Sequence, residues 1–191
     1  MNFRLVLAAL AGGLAMFMWT SFAHVMTPLG YIGMNSLTND AAVRTALAQS
    51  EGPKSGLYIF PAYDPKARDG AAEMARATQA ARTGPSGLVL YHPAGKGAEM
   101  GLETMGSELL LEVIEAFMLA IVIANSTALT LTSRLILSMA VGFAAALTTN
   151  GSQQVWYGFP TDYTRAQVVI DVVRYLVAGL VVSLVLRPKK A

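Results

Sequence analysis

The sequence predicts a membrane all-α fold: four transmembrane helices with a small α+β extracytoplasmic insert between the first and second. Two observations carry this. Of 191 residues, 54% are hydrophobic and only 14% charged, well below the roughly 25% charge of a soluble domain. Four apolar windows also approach the length a bilayer demands, about 20 residues at about 1.5 Å each. The expected division is residues 1–25 for the first helix, 26–106 for the insert and 107–191 for helices two to four.

The first window, Leu5 to Ala23, carries no charge and closes on Trp19 and Phe22. It competes with a secretory signal, because Arg4 gives a charged start and Ser21-Phe22-Ala23 resembles a cleavage site. The apolar stretch exceeds the roughly 7 to 15 residues of a signal core, so an uncleaved helix is expected. The second window, Leu109 to Leu129, includes Glu112 and Glu115; the third, Leu135 to Thr148, is short and rich in Gly and Ala; the fourth, Val168 to Leu186, is interrupted by Asp171 and Arg174. Gly12-Gly13 and the stretch around Gly142 would allow helices to approach closely.

Short-segment Lys and Arg set orientation. Arg4, Arg134 in the turn between the second and third helices, and Arg187, Lys189 and Lys190 after the fourth fall on one side if the helices alternate. That side is expected to be the cytoplasm, with both termini there and the insert, together with the loop from Asn150 to Arg165, periplasmic.

Within the insert, Thr27-Pro28-Leu29-Gly30 reads as a turn, and Thr38-Asn39-Asp40 offers caps for a short helix over Ala41 to Ala48. The segment from Gly52 to Ala62 echoes that from Gly84 to Ala94: both are branched and aromatic runs punctuated by Gly and Pro, as short strands are. The Ala-rich stretch between them predicts a helix from about Ala71 to Arg82. A strand–helix–strand order favours parallel pairing. Tyr58, Tyr91 and His92 are the candidates for an outer ligand pocket, against plain strand-face packing.

The densest chemistry lies in the spans. Glu108, Glu112 and Glu115 fall on one stripe of the second helix, and Gln167, Asp171 and Arg174 repeat that spacing on the fourth. Ionised groups in hydrocarbon point inward and pair, so Arg174 is expected to meet Glu112 or Glu115. The bland reading is an ion-pair network fixing helix register. A proton or ion path is the functional one, since carboxylates outnumber bases. Glu112-x-x-Glu115 with His24 and Asp171 superficially suggests a two-metal bundle, but such sites use Glu-x-x-His pairs, which are absent. A quinone or lipid head held at the outer edge is a further alternative. His24 stands where the first helix should leave the hydrocarbon. Trp156, Tyr157, Phe159 and Tyr163 suit an interfacial belt or a partner contact, with Thr161 or Asp162 capping the fourth helix.

The chain has no cysteine, which excludes disulfides, thiolate metal sites and covalent haem attachment. A net charge of +2 without a basic stripe excludes nucleic acid as a partner. No Gly-rich phosphate loop supports nucleotide hydrolysis. Trp19 through His24, Gly56-Leu57-Tyr58 with Pro61, and Trp156-Tyr157-Gly158-Phe159-Pro160 together make the chain resemble a family of small four-helix bacterial inner-membrane proteins of unknown function. The resemblance implies a bacterial inner membrane and no catalytic residue.

The expected role is non-enzymatic: an accessory or structural subunit of a larger membrane complex, energy-transducing or otherwise, whose partners are the bilayer and other membrane subunits. A small proton- or ion-coupled transporter using the polar stripes is one alternative, and a metal- or quinone-binding oxidoreductase the other. No cofactor is predicted.

Overall fold

The computed structural model describes residues 3–51, 54–64, 66–95, 101–127 and 130–187. Lys189 and Lys190, Leu129 at the foot of the second window, and Gly52-Pro53 of the echo lie outside them. Of the described residues 74% are helical, and the chain separates into two compact units, Met1–Met34 with Glu99–Ala191, and Asn35–Ala98.

The first unit is a bundle of α1 (Phe3–Met26), α4 (Leu102–Asn125), α5 (Leu131–Ala146) and α7 (Thr161–Leu186), with α2, α3 and both strands in the other unit. α1 packs along both α4 and α7, and α5 packs along α7. Among the described residues three helical stretches are long and apolar enough to cross a membrane: α1, the run Leu131–Tyr157 and α7. Three glutamates set α4 apart from them, Glu108, Glu112 and Glu115 all falling in its apolar part.

Burial in the bundle is inverted relative to a water-soluble protein. The interior mixes small and polar residues, Ala8, Ala116, Ala120, Ala178, Ser138, Ser183, Glu112 and Arg134, with a few large apolar ones, Met16, Leu119, Ile123, Ile170 and Val182. Leu7, Leu10, Leu14 and Met18 of α1 and Leu110, Ile114, Met118 and Val122 of α4 are exposed. Water would make such a surface costly, whereas hydrocarbon solvates it and leaves close helix packing to small residues. A methyl group added at Gly13 would collide with the Val113 backbone, and one at Gly179 with Ser138. Gly142 meets Tyr175 and Ser138 meets Gly179, so α5 and α7 run antiparallel in register, one turn per step.

Two bounds differ from expectation. The third helix continues past Thr148: a π turn (Leu147–Gly151) joins α5 to α6 (Ser152–Tyr157), and only Gly158 to Pro160 separate it from α7. Within the polar run the Thr148 and Thr149 hydroxyls donate back to the Ala144 and Ala145 carbonyls, so these side chains find partners on the helix itself. Gly158, at φ +71, ends it in the left-handed conformation that glycine adopts freely. Pro160, rather than Thr161 or Asp162, occupies the N-cap of α7, its fixed φ suiting the entry. Arg134 also departs from its expected turn. It lies in the first turn of α5 and is buried there, one residue past a capping box formed by Thr130 and Ser133.

The second unit holds α2 (Asp40–Glu51), β1 (Gly56–Phe60), α3 (Gly70–Thr83) and β2 (Gly87–Tyr91). Asn39 and Asp69 cap the helices through their side-chain oxygens. The strands pair antiparallel, Gly56 opposite Tyr91 and Phe60 opposite Gly87, and not in parallel. Residues 61–69 can reach about 30 Å when extended, more than the roughly 21 Å climb of α3, so the connection is long enough to permit this pairing. Among the described residues of this unit only Ala77 is buried. Arg76 ties α3 to the Ala62 carbonyl and pairs with Glu73, holding that carboxyl below the usual carboxylate range.

Candidate functional site

The polar stripes of α4 and α7 meet at Arg174. Its Nη2 lies 3.1 Å from Asp171 Oδ1 and 3.3 Å from Glu115 Oε2, and its Nη1 lies 3.8 Å from Glu112 Oε1. Glu112 is 0% exposed and the Arg174 side chain 16%. One guanidinium therefore stands among three carboxylates, a formal excess of two negative charges.

Neighbouring helices complete the shell. α1 contributes the Thr20 hydroxyl, which donates to Glu112 Oε1 at 2.6 Å, and the Trp19 indole, which donates to the Ile170 carbonyl at 3.0 Å and fixes α1 beside Asp171. The π turn delivers Asn150, whose amide donates to Asp171 Oδ2 at 2.8 Å. The Tyr175 ring lies 5.7 Å from the Arg174 guanidinium carbon and packs over Gly142. Glu112 Oε2 and Arg174 Nε are buried with no hydrogen-bond partner, so the network is incompletely satisfied.

The other candidates fall elsewhere. Glu108 forms no ion pair with Arg174 and instead faces a cleft between α1 and α4, together with His24. Gln167 is half-buried and makes no side-chain hydrogen bond. Trp156, 79% exposed, and Tyr157 project from α6, while Phe159 packs against Tyr163 at 5.6 Å between centroids. Among the described residues no three His, Cys, Asp or Glu side chains are placed to hold a metal ion.

In the insert, Tyr58 and Tyr91 stack edge to face, 6.1 Å apart. A hollow of about 700 Å³ between α2 and the end of β2 is lined by Arg44, Tyr91 and His92, without Tyr58.

Sequence reasoning reached Glu112, Glu115, Asp171 and Arg174 by spacing, and missed Thr20, Asn150 and Tyr175. Thr20 stands one turn before His24 on the same helix face, which was the available signal; Asn150 had none, because the polar stretch around it read as a loop. Comparison with family models, with curated proteins and with solved structures finds no match.

Proposed function

We propose that this chain is a non-enzymatic, four-span protein of the bacterial inner membrane whose Arg174-centred cluster takes up and releases a proton or small cation, as in a small ion-coupled transporter. The observation that carries the reading is the charge imbalance: one arginine serves three carboxylates in an interior whose other buried side chains are mostly apolar. An uncompensated charge in such surroundings is expensive, so the excess is met by exchangeable protons or a cation. The unpartnered Glu112 oxygen is a place for one.

A fourth span is supported by α4 itself. Its 24 residues turn Leu110, Ile114, Met118 and Val122 outward while Glu112 faces inward. The orientation, with cytoplasmic termini and a periplasmic insert, is supported by Arg4, Arg134 and Arg187, which the antiparallel helices carry at one end of the bundle.

Proteoliposomes with an imposed pH gradient and a trapped pH dye test the reading. Glu112→Gln and Glu115→Gln should each abolish proton-coupled flux, and an infrared difference spectrum between acid and neutral pH should lose a carboxylic-acid carbonyl band in the variants. Unchanged flux and an unchanged band would overturn it.

Exposed Val155, Trp156 and Tyr157 on one short helix favour a second reading, an accessory subunit anchored there to a larger complex. Mass measurement after gentle detergent extraction separates the two: a companion subunit lost on Trp156→Ala supports this one, and a lone monomer sinks it.

A further inference from the structure

A cleft of about 690 Å³ opens between the outer parts of α1 and α4. Gly13 brings the two helices into backbone contact at Val113, and the cleft opens further along, where residues between Phe17 and Val25 of α1 face residues between Thr104 and Glu108 of α4. The Thr20–Glu112 hydrogen bond ties the two helices together here, and one turn further out on each, His24 and Glu108 line the same cleft. Phe17 and Met105 line its apolar wall, and Thr20 and Ser21 add hydroxyls.

We propose that this cleft is a binding site for a bilayer glycerophospholipid with a primary ammonium head, of the phosphatidylethanolamine type. Three matches single out this occupant. Glu108 presents a carboxylate to the ammonium, and His24 with the hydroxyl of Ser21 presents donors to the phosphate, which complements a zwitterion rather than an anion. A primary ammonium donates hydrogen bonds to Glu108, and a quaternary one does not. The depth also agrees: His24 lies two residues from the end of α1, where heads reside, whereas Phe17 is seven residues deeper, about 10 Å along the axis, among acyl chains. The volume lies within the range of small-ligand sites.

The site rests on the membrane assignment and not on ion coupling. Thr20 nonetheless touches both, so an occupied cleft would abut the hydroxyl that holds Glu112.

The test uses the full chain, reconstituted in nanodiscs of equimolar phosphatidylethanolamine, phosphatidylcholine and phosphatidylglycerol, then released gently for native mass spectrometry. One phosphatidylethanolamine should be retained at about tenfold preference over phosphatidylcholine, the size of one charge-assisted hydrogen bond. Glu108→Gln should bring the two to parity. Equal retention of the choline or glycerol lipid by the unaltered protein, or an unaltered preference in Glu108→Gln, overturns the proposal. Should Glu108→Gln fail to fold, Met105→Trp, which fills the cleft, carries the test: loss of the bound lipid supports the site and its retention refutes it. Proton flux measured on the same samples keeps this outcome apart from that of the transport reading.

Discussion

The two units solve the problem of burial in opposite ways. In the bundle, glycine and alanine bring backbones together and enclose glutamate, arginine and serine beside a few large apolar side chains, while most leucines and methionines face outward. In the insert, Leu57, Ile59 and Leu90 of a two-stranded sheet stay exposed and a single alanine is buried among the described residues. A charged interior beside an apolar exterior is stable only where the solvent is hydrocarbon; a two-stranded sheet without a core is marginal in water. Stability of the whole chain should therefore reside in the bundle, and substitutions in the two units should differ by an order of magnitude.

The sharpest way to break that contrast is Arg174→Met, which leaves three carboxylates without their cation. Denaturant unfolding in detergent should show a loss of about 3–5 kcal/mol, the cost of stranding buried charge, and adding Glu112→Leu should recover part of it. If the single change costs under 1 kcal/mol, the cluster is not a buried ion network. Next, Gly13→Val drives a side chain into the Val113 backbone. It should cost about 3 kcal/mol and lower the detergent melting temperature. Asn150→Ala removes one hydrogen bond from Asp171 and should cost about 1 kcal/mol. At the small end, Leu57→Ser on the exposed sheet face should change stability by less than about 0.5 kcal/mol. Limited proteolysis should cut the insert before the bundle, and the reverse order would erase the comparison.

What could be read from sequence follows the same division. The positions of the bundle helices and the Glu112–Glu115–Asp171–Arg174 grouping were legible because hydropathy and helical spacing act within one segment. The helix over Asp40–Glu51 announced itself through Asn39. The direction of strand pairing was not legible, since the connection through residues 61–69 and α3 is long enough to permit the antiparallel one. Nor was the continuation of the third helix through Thr148 to Tyr157, where threonine hydroxyls of a polar run bond back to the helix. Glu108 shows the limit of spacing. It shares a stripe with Glu112, yet it lines the cleft between α1 and α4 rather than pairing with Arg174.

The π turn at Leu147–Gly151 has a genetic consequence. It holds one residue more than an α-helical path over the same rise, and one residue is worth about 100° of rotation. An in-frame loss of a single codon there would restore an uninterrupted α-helix and leave the hydropathy profile almost unaltered. It would also swing Trp156 and Tyr157 through about a quarter turn and withdraw Asn150 from Asp171. Such a deletion would be silent to composition and loud in geometry, which makes this short stretch the place where the chain should tolerate substitution far better than a change in length.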